Sequence, residues 1–277
     1  MTGTSSGIGR ACVAHLHRSG WRVFAGVRTE ADGAEVAALG PGVVPVHLDV
    51  TDDDAVRTAV DLVAADVGES GLDAVVNNAG VALGGPVETT PLATWREVLE
   101  VNLLGQLAVT RATIPLVRTA RGRYVFVGSA NGRLSGPLLG AYAASKHGLE
   151  AACEALRHEL RPSGVKVLCV EPGAVRTEIW PKVRREVEEI SASLDDAAQA
   201  RYAPMADAIG ELARSADAHG VAPARVAEVV GKLLDSPHPP ARRLVGADAW
   251  VMGLGARLLP DSLRDRLVRG QLGLGWR

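Results

Sequence analysis

Short runs rich in valine alternate along this chain with longer segments in which apolar residues recur every three or four positions. The short runs are apolar almost throughout, which is typical of strands buried on both faces of a parallel sheet. The longer segments have the period of the amphipathic helices that connect such strands. The pattern predicts strands at residues 22–27, 43–48, 72–77, 123–128, 165–171 and 243–245, and helices at residues 8–19, 52–67, 92–118, 142–160 and 223–235. The predicted fold is an α/β fold with a doubly wound parallel sheet.

The segment between Thr177 and Val221 is over forty residues long and contains no predicted strand. Apolar residues recur there at helical spacing, first at Ile179, Val183, Val187, Ile190 and Leu194, and then at Tyr202, Met205, Ile209 and Leu212. We predict two inserted amphipathic helices. Ligands bind near the carboxyl ends of strands in such sheets, which favours a substrate lid across residues 178–221. Packing on the main domain explains the same pattern without a substrate.

The composition is that of an ordinary globular chain: 277 residues, 47% hydrophobic and 22% charged, with a formal net charge of −2. One domain over residues 1–277 is predicted. The chain lacks the basic excess of a nucleic-acid-binding protein. Cys12, Cys153 and Cys169 lie far apart in apolar segments, so neither a disulfide framework nor a metal cluster is predicted. No apolar run of about eighteen residues and no signal-peptide pattern occurs, and the cytosol is the predicted compartment.

Tyr142 and Lys146 lie four positions apart in a predicted helix, so both side chains are expected on one face. A phenol with a pKa near 10 needs roughly 4 kcal/mol of differential stabilisation to ionise at neutral pH, and a nearby ammonium group helps to supply it. Such a pair can move a proton to or from the oxygen of an alcohol or ketone. The spacing also fits a buried ring beside a lysine on any amphipathic helix. The chain has only four lysines, which favours the chemical interpretation.

A glycine-rich loop, residues 2–9, precedes the first predicted helix. Its glycines, at positions 3, 7 and 9, allow a pyrophosphate to approach the backbone at the amino end of that helix. By itself such a loop can be a simple turn. The motif Asn77-Asn78-Ala79-Gly80 at the end of a later strand favours a dinucleotide-binding site instead.

With these motifs the chain resembles the classical short-chain dehydrogenase/reductase family, from residue 2 to about residue 245. It looks most like the branch that holds hydroxybutyrate, retinol and hydroxysteroid dehydrogenases. The resemblance implies a Rossmann-type doubly wound parallel sheet in a single domain. Family members have a strand before the glycine loop, and only Met1 precedes Thr2 here, so the first strand is expected to be missing from this chain. We interpret its absence as a miscalled start codon or an expression boundary, in preference to a natural truncation.

The resemblance also implies four catalytic residues. Tyr142 is expected to be the general acid in carbonyl reduction and the general base in alcohol oxidation, while Lys146 lowers its pKa and binds the nicotinamide ribose. Ser129 is expected to hold the reacting oxygen, and Asn102 to anchor a water in the proton relay. In isolation, Ser129 also fits a residue that caps a turn, and Asn102 fits a purely structural role.

By the same resemblance the expected cofactor is NADP(H), with NAD(H) as the alternative. Arg28 follows the family's second strand and suits a 2'-phosphate, whereas Glu30 and Asp32 nearby temper that choice. Asp49 is expected to contact adenine, and its alternative role is a helix cap. The expected cofactor-binding residues are Gly3, Ser5, Ser6, Gly7, Ile8, Gly9, Arg28, Asp49, Asn78, Ala79, Gly80, Tyr142, Lys146, Pro172, Gly173, Val175 and Thr177.

The predicted function is an NADP-dependent oxidoreductase that interconverts a secondary alcohol and a ketone. Apolar lid residues favour an apolar, steroid-, retinoid- or acyl-like substrate, and residues 130–134 either line the cleft or form a surface loop. The alternative is a non-catalytic dinucleotide sensor, which would be free to lose Tyr142, Lys146 or Ser129. The resemblance implies a homodimer or homotetramer. In the tail, residues 247–277, packing on the lid or on a partner subunit is favoured over peripheral membrane contact.

Overall fold

The structure, a computed structural model, describes residues 1–193 and 195–272. Leu194, part of the predicted lid pattern, and residues 273–277, the end of the predicted tail, lie outside the described residues. The strands are β1 (Val23–Val27), β2 (Val43–His47), β3 (Ala74–Asn77), β4 (Arg123–Val127), β5 (Lys166–Pro172) and β6 (Arg242–Val245). The helices are α1 (Gly7–Arg18), α2 (Glu30–Ala37), α3 (Asp53–Val67), α4 (Leu92–Leu99), α5 (Gly105–Thr119), α6 (Gly140–Leu160), α7 (Ile179–Ser193), α8 (Asp196–His219), α9 (Pro223–Asp235), α10 (Ala247–Leu258) and α11 (Asp261–Gln271).

The strands form two parallel sheets, β2–β1 and β3–β4–β5–β6, in that spatial order. One core lies between the sheet and helices α1 and α9, around Cys12 and Val230. A second core lies on the other face under α5 and α6, around Val117 and Leu149. Helices thus cover both faces, which confirms the predicted doubly wound α/β fold. Since all strands are parallel, the loops at their carboxyl ends meet along one edge.

The sheet is divided at its centre, between β1 and β3. Residues 1–4 bridge the division: the N–H of Thr4 donates to the carbonyl of Gly26 on β1 (3.1 Å), and the N–H of Thr2 donates to the carbonyl of Val76 on β3 (3.0 Å). Behind this bridge lies a cavity of 550 Å³ whose apolar lining includes Val23, Val46, Val63, Val75 and Val109. Among the described residues no strand fills that space, in agreement with the fold predicted for this chain.

All predicted strands are present, and their ends differ from the prediction by at most two residues. The prediction of one helix over residues 92–118 is wrong, because a π-helical turn, Glu100–Leu104, separates α4 from α5. That turn carries Asn102, whose side chain is hydrogen-bonded to the backbone of Val81. The regular helix is interrupted at the residue that makes these bonds. Helix α2 was not predicted. It is short, and it begins where the side chain of Thr29 accepts a hydrogen bond from the N–H of Asp32.

The two predicted inserted helices are present as α7 and α8. Their facing sides meet in an apolar cluster that includes Val183, Val187 and Ile209 and that also contains Leu138, from the segment before α6. Leu272, at the end of the described tail, packs against the same cluster. None of the described helices is both long and apolar enough to cross a membrane.

Candidate active site

Ser129 and Tyr142 meet at the carboxyl edge of the sheet. Ser129 follows β4 directly, and Tyr142 lies in the first turn of α6. Ser129 lies close enough to Tyr142 to influence the pKa of its phenol, which the serine side chain lowers. The Oγ of Ser129 also accepts a hydrogen bond from the N–H of Asn131 (3.1 Å), so this serine caps the short helix that follows it. The two roles weighed from the sequence therefore do not exclude each other, because the serine that caps this turn also lies beside Tyr142.

Lys146 lies one helical turn beyond Tyr142 and is only 4% exposed. Its Nζ donates to the carbonyl of Val127, at the end of β4 (2.9 Å), and lies 5.8 Å from the centre of the Tyr142 ring. Burial lowers the pKa of this ammonium group from 10.5 to about 8. At neutral pH the group therefore remains charged, within reach of the face of the tyrosine ring.

The pKa of Tyr142 in the protein alone lies above its ordinary value. The resemblance implies a phenol whose pKa lies below its ordinary value, but in the protein alone burial raises the pKa of Tyr142, and the side chain of Ser129 only partly opposes that rise. The physical reason is the burial of the phenol, while the Nζ of Lys146 is bonded to the backbone carbonyl of Val127. The protein alone therefore keeps the phenol protonated.

Asn102 joins the same site from the π-helical turn. Its Oδ1 accepts from the N–H of Val81 (2.8 Å), and its Nδ2 donates to the carbonyl of Val81 (2.8 Å) and to the Oγ of Ser145 on α6 (3.0 Å). A Cβ on Gly80 would lie 3.2 Å from the Oδ1 of Asn102 and 3.8 Å from the Nζ of Lys146. All four predicted catalytic residues thus lie together, with the side chain of Asn102 fully engaged in structural bonds.

The glycine loop has the shape expected of a phosphate cradle. Gly3 has a φ of 64°, and a Cβ there would lie 2.8 Å from the Cα of Ala79, while a Cβ on Gly9 would lie 1.9 Å from the carbonyl oxygen of Gly3. The Nδ2 of Asn78 donates to that carbonyl (2.8 Å) and so ties the loop to the end of β3. Ser6 precedes α1 and makes no side-chain cap bond, which leaves the first N–H groups of the helix available for a pyrophosphate.

Five other expected cofactor residues lie around this cradle. Ser5 is half-buried in the loop, and Ile8 in the first turn of α1 packs against the core. Thr177 lies opposite Gly7, since a Cβ on Gly7 would lie 3.1 Å from the threonine methyl group. Pro172 ends β5, and Val175 is buried in the turn that follows it. The loop and this turn therefore face each other across the carboxyl edge of the sheet.

Asp248 is a site residue that the sequence did not point out. Its carboxylate accepts a hydrogen bond from the N–H of Ala174 (2.6 Å), and a Cβ on Gly173 would lie 2.1 Å from the same carboxylate oxygen. Asp248 therefore fixes the turn of Gly173 and Val175 from the first turn of α10. Asp248 lies in the first turn of a helix that follows the glycine after β6. That position is the one signal in the sequence that could have identified it.

Arg28 and Asp49 lie at the carboxyl ends of the small sheet. Arg28 is exposed after β1, whereas the preceding Val27 is buried in the core. Asp49 accepts hydrogen bonds from the N–H and Oγ1 of Thr51 (2.9 and 2.7 Å); these bonds and the charge of Arg28 lower its pKa. Asp52, not Asp49, caps α3. The capping role weighed for Asp49 is therefore wrong, and its carboxylate stays ionised near Arg28.

Two side chains next to the predicted cleft, Trp180 and Arg133, are engaged in contacts within the chain. Trp180 donates from its indole to the carbonyl of Val175 (2.7 Å), which ties the start of α7 to the turn after β5. Arg133 is paired with Glu171 through two hydrogen bonds, and Leu134 is buried. The sequence allows two interpretations of residues 130–134, a cleft wall or a surface loop. Because Arg133 is paired with the buried Glu171, neither interpretation applies to it.

Comparison with known proteins agrees with this geometry. The sequence pattern of the short chain dehydrogenase family matches residues 1–188. The chain is similar to the NADPH-dependent 3-dehydrocapnine reductase of Ornithobacterium rhinotracheale (32% identity over 96% of this chain and 94% of that protein) and to retinol dehydrogenase 5 of Homo sapiens (34% identity, 97% and 86%). A solved short chain dehydrogenase from Burkholderia cenocepacia, in complex with NADP, is similar with a TM-score of 0.75 and 25% identity over 96% of this chain and 94% of that chain. This chain therefore belongs to the short-chain dehydrogenase family and is an oxidoreductase.

Proposed function

We propose that this enzyme interconverts a secondary alcohol and a ketone by hydride transfer with NADP(H). The observation that carries the proposal is that Ser129 lies beside Tyr142, whose ring centre is 5.8 Å from the buried ammonium group of Lys146. Two neighbouring hydroxyl groups can both bond to one further oxygen atom, which fixes the carbon that bears it. The family supplies the oxidoreductase class, and this arrangement supports the choice of a carbinol or carbonyl carbon.

The residues of the chain then have distinct roles. Tyr142 donates its proton to the carbonyl oxygen during reduction and takes it back during oxidation. Ser129 holds the same oxygen and fixes its direction. Lys146 remains cationic at neutral pH, because burial lowers its pKa only to about 8, and its charge favours the tyrosinate that forms. The nicotinamide supplies or accepts the hydride when the cofactor is bound.

The proposed cofactor is NADP(H), held by the glycine loop, by residues 78–80 and by the turn of Gly173 to Thr177. Arg28 is exposed at the end of β1, where a 2'-phosphate would lie, and its guanidinium suits that group. Asp32, which tempered this choice, accepts a hydrogen bond from the Oγ1 of Thr29, the residue that caps α2 (2.8 Å), so its carboxylate is engaged within the chain. The printed names of two similar proteins, one NADPH-dependent and one in complex with NADP, support the same choice.

The proposed substrate is apolar, of steroid-, retinoid- or acyl-like character, and enters under the lid of residues 178–221. Leu138 and Leu139, just before α6, pack with Val183 and Met205 of the lid, so apolar side chains border the approach to Tyr142. The same contacts hold the lid to the main part of the chain. We further propose a single domain that assembles as a homodimer or homotetramer in the cytosol, with Leu104, 49% exposed, at the interface.

The proposed function is tested by incubating the protein with NADPH and a panel of apolar ketones, and by following the absorbance of the reduced nicotinamide. Tyr142→Phe is expected to lower kcat by about 10²- to 10⁴-fold, since it removes the general acid. Tyr124→Phe is the matched control: that phenol is buried in the core and bonded to Thr113 and Thr110, so turnover is expected to survive. Unchanged turnover in Tyr142→Phe would contradict the mechanism, and tighter binding of NADH than of NADPH would contradict the cofactor.

A further inference from the structure

A buried network of charges lies beside the proposed active site, one helical turn farther along α6. Its centre is Glu150, one helical turn beyond Lys146 and 8% exposed. One oxygen of Glu150 accepts a hydrogen bond from the thiol of Cys169 on β5 (2.7 Å), and the other accepts from the Nε of Arg242 on β6 (2.9 Å). Cys169 and Arg242 are register partners in neighbouring strands, which brings both to the same carboxylate.

Glu150 also touches the turn that carries Ser129. A Cβ on Gly128 would lie 3.2 Å from its Oε1, and a Cβ on Gly132 would lie 3.2 Å from its Cγ and 3.0 Å from the carbonyl oxygen of Lys146. The backbone on both sides of Ser129 therefore rests on this one side chain. A change in the position of the carboxylate is expected to move Ser129 relative to Tyr142.

Several ionisable groups surround Lys146 and Glu150, and their charges decide what Glu150 does. Arg133 and Arg242 are cations, and Glu171, fully buried, is bonded to Arg133 and lies 3.8 Å from the Nε of Arg242. The remaining groups are Tyr142, Cys153 and Glu154 on α6 and Cys169 on β5. A bond with Cys153 and burial raise the pKa of Cys169 well above its ordinary value, so that thiol is neutral at physiological pH.

Glu150 is therefore the carboxylate that opposes the burial of the Lys146 ammonium group. Burial lowers the pKa of Lys146, and Cys169, Cys153 and Glu150 act in the opposite direction; Glu150 is the one carboxylate among them. Arg242 pairs with Glu150 (2.9 Å), and such a pair offsets part of the cost of burying a carboxylate.

We propose that Glu150, clamped by Arg242, is a positioning residue for the active site, which maintains the charge of Lys146 and the placement of the Ser129 turn. Ser129 and Lys146 then depend on the ion pair between Glu150 and Arg242. Arg242 lies on the edge strand β6, more than ninety positions from Glu150 in the sequence. The proposal rests on the proposed function only in that Lys146 acts there as a cation.

The test is the titration of Lys146 in protein that carries lysine labelled with ¹³C at Cε. The chain has only Lys146, Lys166, Lys182 and Lys232, and the signal that disappears in Lys146→Met identifies the first. In Glu150→Gln the pKa of Lys146 is expected to fall by about one unit, since a charge one helical turn away is lost. Glu150→Asp, which keeps the charge, is expected to restore at least half of that shift.

The matched control is Glu154→Gln. Glu154 lies one turn farther along α6, bonds to the same Arg242 (3.2 Å) and is 55% exposed, so its loss is expected to leave the titration of Lys146 unchanged. If Glu150→Gln does not fold, the paired variant Glu150→Gln/Arg242→Gln is expected to give a shift in the same direction, because no charge is then left unpaired. An unchanged pKa of Lys146 in folded Glu150→Gln protein, or an equal shift in Glu154→Gln, would overturn the proposal.

Kinetics separate this proposal from the proposed function. In ketone reduction, the alkaline limb of the kcat/KM profile is expected to move to lower pH in Glu150→Gln, because Lys146 loses its proton earlier, while Glu154→Gln keeps the wild-type profile. A wild-type protein without reductase activity that still shows the shift in the Lys146 titration would support the coupling and contradict only the proposed function.

Discussion

Lys146 is a buried ammonium group at the centre of the site, and its burial lowers the stability of the folded protein. A pKa lowered by burial from 10.5 to about 8 corresponds to about 3 kcal/mol at neutral pH. The hydrogen bond to Val127 returns about 1 kcal/mol of it. Since the residue is nearly fully buried, a charge is kept at this position at the expense of stability, as expected where a cation is needed for function.

Lys146→Met is therefore expected to abolish turnover and yet to raise the free energy of unfolding by about 2 kcal/mol at pH 7, which is roughly 4–8 °C in melting temperature. The sign follows from protonation. Below pH 8 the wild type carries the buried charge and the variant has its full advantage, and from pH 8 toward 10.5 the folded wild type becomes neutral and the advantage disappears. Thermal unfolding at both ends of this range measures it.

Lys182→Met serves as the control for that measurement, because Lys182 is exposed on α7 and its replacement is expected to leave stability almost unchanged. If Lys146→Met melts at the same temperature as the wild type at pH 7, or lower, the prediction is contradicted. The interactions of the ammonium group would then offset the whole free-energy cost of its burial.

At the scale of secondary structure, the division between β1 and β3 leaves backbone groups without a partner strand. Along β1, the N–H of Val23 bonds to the carbonyl of Gly42, next to β2, so the N–H of Phe24 points the other way, into the cavity, while the carbonyl of Phe24 accepts from the amino group of Met1 (2.8 Å). On β3, Val76 faces the same cavity, and its carbonyl accepts from Thr2. These edges are apolar, yet they are paired only at their carboxyl ends, through residues 1–4.

Hydrogen exchange tests the divided sheet. The amides of Phe24 and Val76 are expected to exchange at least about tenfold faster than those of Ala25 and Val75, which face paired strands. Each comparison uses neighbours in one strand, so overall stability cancels. Equal protection of the four amides would contradict the division and would indicate that backbone partners fill the cavity.

The sequence predicted those parts of the fold and site that a local pattern encodes. Valine-rich runs identified the strands, and the glycine loop and the spacing of Tyr142 and Lys146 identified residues that the structure brings together. The π-helical turn escaped prediction, since it depends on bonds between Asn102 and the distant Val81. The pairing of Glu150 with Arg242 escaped for the same reason: each residue resembles an ordinary surface charge until β6 lies beside β5.

At the scale of the whole molecule, the parallel strands bring separate segments to one edge. The glycine loop, the turn after β5 and the start of α6 all lie there, and the apolar cluster of α7 and α8 packs on Leu138 and Leu139, just before α6. The cofactor and the reacting carbon are thereby expected to meet between the strand ends and the lid. The central claim is that a hydride passes between them, directed by Ser129 and Tyr142.

That claim is tested most directly by following the hydride itself. The protein is incubated with an apolar ketone and NADPH in which both hydrogens at C4 of the nicotinamide are replaced by deuterium, and the alcohol is analysed by mass spectrometry and NMR. The account predicts one deuterium on the carbinol carbon of each product molecule, formed by the wild type and Tyr124→Phe and nearly lost in Tyr142→Phe. Alcohol formed without deuterium at that carbon, or formed equally well by Tyr142→Phe, would contradict it.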